Sequence, residues 1–180
     1  MRLFVAVWPP QELRRRLAAL GRPALPGVSW TSAEQWHVTL RFLGEVAPEA
    51  VSALDADLLA CAGGACPCVA SAGPTVRRLG RHLLVVPVAG LDPLARAVGA
   101  ATAHEYPMAV VGRHGDSRGG VEAWSGHLTL ARARRPLAAA SVPAGEVAWE
   151  WTVERIALVA STLDPAGARY CDLAVYHLGG

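Results

Sequence analysis

The sequence predicts an α+β fold with many strands and few helices, and three observations support this prediction. Short apolar runs rich in β-branched residues lie between turns that contain Gly or Pro, as strands do. Three other segments carry apolar residues at helical spacing. The pattern His-apolar-Thr-Leu occurs once in each half of the chain, which indicates an internally duplicated fold whose halves face each other across a cleft.

Length and composition predict a folded chain without a membrane span. With 180 residues, 52% of them hydrophobic and 18% charged, the chain suffices for one domain and is too apolar for disorder. We therefore expect residues 1–180 to form a single domain of two interleaved lobes. The longest nearly apolar run, Leu83–Leu91, falls short of the roughly 20 residues that cross a bilayer. The N-terminal segment lacks the features of a signal peptide, so we expect a cytoplasmic protein.

The net charge argues against a protein dedicated to binding duplex nucleic acid, and the cysteine spacing argues against a zinc site. The 17 basic and 15 acidic residues give a net charge of only +2. All 17 basic residues are Arg, which genomic base composition explains, although Arg also suits bidentate phosphate contacts. Cys61, Cys66 and Cys68 lack paired C-x2-C spacing, and we expect these thiols and that of Cys171 to be reduced.

The first half of the chain predicts alternating strands and helices. Strands are predicted at Arg2–Trp8 and Trp36–Gly44, and helices after Pro10 and over Pro48–Leu59. Strict alternation along Trp36–Gly44 predicts two different faces for this strand. The apolar face would hold Val38, Leu40 and Phe42, and the polar face His37, Thr39 and Arg41.

The second half predicts a similar order of elements. A hairpin is predicted from strands at Val69–Val76 and His82–Val88 around a turn at Arg77–Arg81, with a helix over Leu91–His104. Gly112–Gly120 has many glycines and no periodicity, and we expect a mobile surface loop there. The segment Gly126–Arg132 alternates, and three further strands are predicted at Val147–Trp151, Arg155–Ser161 and Tyr170–Leu178.

The repeated pattern predicts acid–base chemistry at phosphorus. Its copies are His37-Val38-Thr39-Leu40 and His127-Leu128-Thr129-Leu130, a repeat that a random order of the same residues would seldom produce. Two imidazoles with pKa values of about 6.5 can act at neutral pH as one base and one acid. The Thr hydroxyls can hydrogen-bond the non-bridging phosphate oxygens. This chemistry needs no metal and no other cofactor.

The motifs and their flanks together carry a family resemblance over essentially the whole chain. With the Phe4-Val5-Ala6 strand and the extensions Arg41-Phe42-Leu43-Gly44 and Ala131-Arg132, the chain resembles the two-histidine (2H) phosphoesterase superfamily. Within it, the chain looks most like the RNA 2′,3′-cyclic phosphodiesterases, also called 2′-5′ RNA ligases. The resemblance implies a bilobal fold with a pseudo-two-fold axis, two antiparallel sheets lining a central cleft, and helices on the outside. It also implies a monomer whose partner is RNA with a 2′,3′-cyclic phosphate end or a cyclic nucleotide.

The resemblance implies roles for individual residues. His37 would be the proton donor and His127 the proton acceptor, while Thr39, Thr129 and Arg132 would bind the substrate phosphate. Strict alternation turns Arg132 away from His127 unless the strand ends or bulges there.

Other positions near the motifs are open to more than one interpretation. Phe4, Trp36 and Tyr170 are candidates for stacking on a base, although core packing is the favoured interpretation for each. Arg41 is a weaker candidate for a phosphate contact than Arg132. Gly126 stands where the family commonly has Pro, which predicts a more flexible entry to the second motif strand.

Several functions stay open on the sequence alone. The first is metal-free hydrolysis of a 2′,3′-cyclic phosphate, with possible reversal to 2′-5′ ligation, on tRNA halves, other RNA ends or small cyclic phosphates. A nucleotide-binding module without turnover is expected to have lost a motif His or Thr, and none is lost. A two-His metal hydrolase is disfavoured because each motif supplies one ligand and no acidic partner is nearby. In a purely structural repeat, His and Thr would pair across strands.

Overall fold

The computed structural model describes residues 1–103, 124–138, 142–143, 145–164 and 167–179. The helices of this part are α1 (Gln11–Ala19), α2 (Val51–Gly63) and α3 (Asp92–Ala101), and short 3-10 turns lie at Ala33–Gln35 and Pro48–Ala50. Its strands are β1 (Arg2–Val7), β2 (Val28–Trp30), β3 (Val38–Glu45), β4 (Cys68–Ala72), β5 (Arg77–Leu79), β6 (Leu83–Ala89), β7 (His127–Ala133), β8 (Trp149–Val153), β9 (Arg155–Asp164) and β10 (Gly167–His177). The loop predicted over Gly112–Gly120 and the predicted helix end at His104 lie outside the described residues.

The strands form one curled antiparallel sheet in the order β10-β9-β1-β3-β7-β6-β4-β8. Strand β2 adds to β7, and β5 adds to β6. The four strands from β10 to β3 make one lobe and the four from β7 to β8 make the other. The lobes meet where β3 pairs with β7 through Val38 and Leu128. The α+β prediction is confirmed, and the two predicted sheets are continuous through this pairing.

The connectivity repeats between the lobes. The unit β1-α1-β3 in the first lobe corresponds to the unit β6-α3-β7 in the second, and each ends on a motif strand. The two motif strands are neighbours at the centre of the sheet. The duplication predicted from the repeated pattern therefore corresponds to a repeated strand–helix–strand order.

A bulge in β3 changes which side chains face the cleft. Val5 pairs with Arg41 and Ala6 with Thr39, so Leu40 is the extra residue on β3. A bulge lets two successive side chains share one face. Leu40 lies in the main core, and Arg41 donates from Nη1 to the Gly99 carbonyl of α3 at 2.8 Å.

The sequence prediction for the second half of this strand is therefore wrong. Arg41 lies on the helix-covered face, opposite that of Thr39, and is not positioned for a phosphate contact. Phe42 pairs with Phe4 and packs against the cleft-side cluster instead of the main core. Strict alternation fails because the bulge at Leu40 moves Arg41 and Phe42 to the faces opposite to those predicted, before a second irregularity at Leu43 shifts the register again.

A second bulge occupies the equivalent position in β7. Leu84 pairs with Ala131 and Val85 with Thr129, which leaves Leu130 as the extra residue. Leu130 and Ala131 both lie in the main core. Arg132 therefore lies on the same face as Thr129. Strict alternation would have turned Arg132 to the other face, and the bulge reverses this.

The apolar residues form a large core under the helices and a small cluster on the cleft face. The large core joins Leu13 and Leu17 of α1 and Leu54 and Leu58 of α2 to the sheet. The small cluster contains the buried residues Phe4, Ala6, Ala157 and Val159, with Trp8, Phe42 and Tyr170 packed against it. The cleft of the first lobe is consequently lined by aromatic rings.

The hairpin of the second half differs from its prediction. The predicted strand Val69–Val76 ends at Ala72, because Gly73 has φ +101° and a Cβ there would lie 1.6 Å from the Val147 carbonyl oxygen. The chain then turns and pairs again with β6 as β5, where a turn over Arg77–Arg81 was predicted. Arg77 thereby becomes a strand residue.

Two further findings concern the chain as a whole. None of the helices in the described part of the chain has the length and apolar character needed to span a membrane. Cys61, Cys66, Cys68 and Cys171 are free thiols. Burial raises the pKa of Cys61 and of Cys68.

Candidate active site

The two motifs meet on the cleft face of the sheet. Because Val38 pairs with Leu128 in antiparallel register, His37 comes opposite Thr129 and Thr39 opposite His127. The motif side chains therefore form a group of four at the junction of the lobes. Arg132 joins this group through the bulge in β7.

Each imidazole is held by a carbonyl two residues before it. Nδ1 of His37 lies 2.7 Å from the Gln35 oxygen, and Nδ1 of His127 lies 2.8 Å from the Ser125 oxygen. A carbonyl only accepts, so Nδ1 carries the proton in both rings and Nε2 is left for proton exchange. Within the described residues neither ring hydrogen-bonds a motif Thr, which argues against a purely structural His–Thr pair.

The surroundings of His37 are aromatic. Its ring centroid lies 4.8 Å from that of Phe4, 5.0 Å from Tyr170 and 5.7 Å from Trp8. Burial among these rings lowers the pKa of His37 to about 4, and the positive charges of Arg132 and His127 act in the same direction. Without a bound anion, His37 is therefore neutral at pH 7.

The surroundings of His127 are cationic. Burial lowers the pKa of His127, and the charges of Arg132 and Arg77 lower it further. Arg132 also acts on the pKa of Tyr170 across the cleft, although burial dominates and raises that pKa. One exposed guanidinium thus lies close enough to both imidazoles and to Tyr170 for its field to reach all three.

The three aromatic candidates occupy different places. Trp36 is 1% exposed in the main core, and its Nε1–H donates to Thr31 Oγ1 at 3.0 Å. Phe4 is 2% exposed beneath His37 and Tyr170. Because both rings are buried, neither has a face that a base could contact, and the stacking hypothesis is wrong for both. Their role is packing. Tyr170 is half-buried, and it borders a groove of about 310 Å³ whose other lining residues include Ser32, Gln35 and Arg169.

Residues outside the motifs hydrogen-bond the backbone of each motif strand. Thr31 directly follows β2 and extends its pairing with β7; its Oγ1 lies 2.8 Å from the carbonyl oxygens of Thr129 and Leu130, and its N–H donates to the Leu130 oxygen. Trp124, which precedes β7, donates from Nε1–H to the Thr39 oxygen of β3 at 3.1 Å. Backbone carbonyls at or next to both bulges thus have hydrogen-bond partners. Sequence reasoning missed Thr31 and Trp124, since no pattern links either residue to a motif.

Gly126 has a packing role that differs from the predicted flexibility. A Cβ at this position would lie 2.3 Å from the Val88 oxygen and 2.7 Å from the ring of Trp124. Its own carbonyl accepts from the Val88 N–H at 2.8 Å. Gly126 is therefore required by the close approach of β6 and of the indole that braces Thr39.

Comparison with known proteins connects this arrangement to a family. A family model described as LigT-like phosphoesterase matches residues 7–67. Sequence comparison with curated proteins gives no match. The structure of TT0787 from Thermus thermophilus is similar over 100% of this chain and 99% of that chain, with 30% identity and a TM-score of 0.80.

Two crystal structures of E. coli LigT, one with 3′-AMP and one with NADP+, are also similar. Each shares 25% identity and covers 99% of this chain and 98% of that chain, with TM-scores of 0.70 and 0.71. The paired-motif sheet and these matches define a phosphoesterase of the two-histidine type. This chain belongs to the LigT-like phosphoesterase family.

Removing the charge of Arg132 tests the electrostatics of the cleft. In Arg132→Gln the pKa values of both His37 and His127 should rise, because the guanidinium disfavours both imidazolium forms. NMR titration of the histidine ring signals measures this, with signals assigned from His37→Ala and His127→Ala. The control Arg96→Gln removes an exposed charge from α3 and should leave both values unchanged. Unchanged titration in Arg132→Gln would contradict the proximity inferred here.

Proposed function

We propose that the protein hydrolyses 2′,3′-cyclic phosphates at RNA or nucleotide ends to 2′-phosphomonoesters by paired-histidine acid–base catalysis. The observation that carries the proposal is the pair of imidazoles on one cleft face, each with Nδ1–H fixed on a carbonyl. The structures of E. coli LigT with 3′-AMP and with NADP+ support a nucleotide-type ligand. With a 5′-hydroxyl in place of water, the same groups in the same roles would bond that hydroxyl oxygen to phosphorus and release the 3′ oxygen, which gives a 2′-5′ link.

In the proposed reaction, His127 is the base and His37 is the acid. Nε2 of His127 takes a proton from water as the water oxygen bonds to phosphorus, and the bond from phosphorus to the 3′ oxygen breaks. Nε2–H of His37 gives its proton to that 3′ oxygen. The hydroxyls of Thr39 and Thr129 and the guanidinium of Arg132 bind the non-bridging oxygens as negative charge develops on them.

The phosphate itself prepares His37 for its role as donor. In the free protein, burial and the charge of Arg132 keep His37 neutral at pH 7. A bound phosphate anion offsets Arg132 and places a negative charge beside the imidazole, which favours the imidazolium form. The acid is therefore charged mainly when substrate occupies the cleft.

Replacement of either histidine should abolish turnover. His37→Ala and His127→Ala should each lower kcat by about 10² to 10⁴, because acid and base act in one displacement. Circular dichroism should be unchanged, since both rings lie at the cleft surface of the sheet. More than a tenth of the wild-type kcat in either folded variant would contradict the mechanism. Parallel assays in excess EDTA should retain activity, whereas loss that a divalent cation restores would favour the metal hydrolase.

The pH dependence follows from the lowered pKa values. The profile of kcat/KM reports the free protein, and both histidine pKa values are lowered there, so a bell with its optimum below pH ~6.5 is expected. Activity should fall as pH rises through the upper value of the pair, because the pair then loses its last proton, which His37 has to donate. The kcat profile should lie at higher pH, since bound phosphate raises both values. A kcat/KM that rises steadily to alkaline pH would indicate hydroxide attack without a protein acid.

The product isomer tests the assignment of donor and acceptor. A fixed acid protonates only the oxygen in line with it, so a cyclic-phosphate oligonucleotide should give the 2′-phosphomonoester alone. Phosphorus NMR, or digestion with a phosphatase specific for 3′-phosphates, distinguishes the two isomers. A 3′-phosphate product would reverse the roles of His37 and His127, and binding without any product would favour the module without turnover.

A further inference from the structure

We propose that Arg77 forms a second phosphate-binding position in the cleft, which takes the phosphodiester on the 5′ side of the terminal nucleotide of an RNA substrate. This inference rests on the proposed function, because it names a further contact in the same cleft. It would make the protein prefer an oligonucleotide end to a cyclic mononucleotide.

The register of three strands places Arg77 on the cleft face. Arg77 of β5 pairs with Val85 of β6, and Val85 pairs with Thr129 of β7. Side chains of directly paired residues share one face of a sheet. Two strand spacings, about 10 Å, separate the backbone of Arg77 from that of Thr129. The guanidinium can therefore lie beside the reacting phosphate without replacing Arg132 on it.

The neighbouring Arg78 has a structural role, in contrast to Arg77. Arg78 faces the opposite side of β5, where its Nη1 donates to the Leu137 oxygen at 2.7 Å. Arg77 is exposed, and within the described residues it makes no hydrogen bond or ion pair that holds its guanidinium away from the cleft. Arg77 lies close enough to His127 for its positive charge to lower the pKa of that imidazole, which agrees with a guanidinium directed towards the cleft.

The chemistry of an RNA end identifies the group that Arg77 would bind. The cyclic phosphate is assigned to Thr39, Thr129 and Arg132. The guanidinium of Arg77 beside them can therefore bind a second anionic group of the same substrate. In an RNA chain that anion is the phosphodiester that joins the terminal nucleotide to its neighbour. A nucleoside 2′,3′-cyclic phosphate with a free 5′-hydroxyl lacks it. Guanidinium binds such an oxygen pair through two parallel hydrogen bonds.

The test compares two substrates that share the same terminal nucleoside 2′,3′-cyclic phosphate. One is the mononucleotide and the other is the dinucleotide that adds a 5′ phosphodiester. In Arg77→Gln, kcat/KM for the dinucleotide should fall about 2- to 5-fold relative to that for the mononucleotide, as expected for one exposed charged contact. Any effect of the lost charge on His127 acts on both substrates alike, so the ratio of the two values isolates phosphodiester binding.

Matched variants and salt dependence complete the experiment. Arg77→Lys should keep part of the dinucleotide preference, and Arg96→Gln, which removes an exposed charge from α3, should keep all of it. The fall of kcat/KM for the dinucleotide with increasing salt should become smaller in Arg77→Gln, because one charge contact that salt screens has been removed. An equal loss on both substrates, or no loss on either, would overturn the role of Arg77 and leave the proposed function standing. Failure of the wild-type protein to cleave either substrate would overturn both.

Discussion

The composition of the cleft depends on two bulges, at Leu40 in β3 and at Leu130 in β7. Each bulge places two successive residues on the helix-covered face and so reverses the alternation of the strand beyond it. Without them, Arg132 would point under the sheet and Arg41 would enter the cleft. The bulges also leave backbone groups that the strand ladder does not satisfy. Thr31, which continues the pairing of β2 with β7, and Trp124, which reaches the Thr39 carbonyl across the lobe boundary, supply partners for the two motif strands beside the bulges.

The electrostatics of the cleft follow from combining buried imidazoles with exposed guanidinium groups. Burial and cationic neighbours both favour neutral rings, so the unoccupied cleft keeps its positive charge on Arg132 and Arg77 instead of on the histidines. Charge on a histidine then depends on the arrival of an anion. The contacts that fix the His37 ring also set its pKa. Phe4, Trp8 and Tyr170 exclude water from the ring, and the carbonyl of Gln35 orients it.

The sequence predicted the overall architecture because periodicity and repetition are local signals. The duplicated pattern identified the motif strands, and the fold brings His37, Thr39, His127 and Thr129 to one face as the pattern implied. The errors at Arg41 and Phe42 arose because a bulge has no reliable local signature and moves the residues that follow it to the opposite face. The burial of Trp36 and Phe4 agrees with core packing, which the sequence favoured, whereas the half-buried Tyr170 shows that exposure depends on tertiary packing that composition does not report.

Other features were invisible for a related reason, since they depend on contacts between distant segments. Gly126 reads as a flexible residue in the sequence, yet the Val88 carbonyl and the Trp124 ring leave no space for a side chain. Arg77 was predicted as a turn residue, yet it pairs with β6 because the chain turns at Gly73. The sequence does not reveal this turn, since the need for glycine there comes from the nearby Val147 carbonyl.

The pseudo-symmetry of the two lobes breaks at one pair of equivalent positions in the cleft. Phe42 and Arg132 each occupy the fifth residue after the histidine of their motif, and each returns to the cleft face after its bulge. A cleft with identical halves would accept a phosphodiester in two orientations, and its histidines would be interchangeable. An aromatic wall on one side and a cation on the other give the cleft a direction. In the proposed reaction, this difference would contribute to giving the two imidazoles different neighbours, one the nucleoside and the other the incoming water.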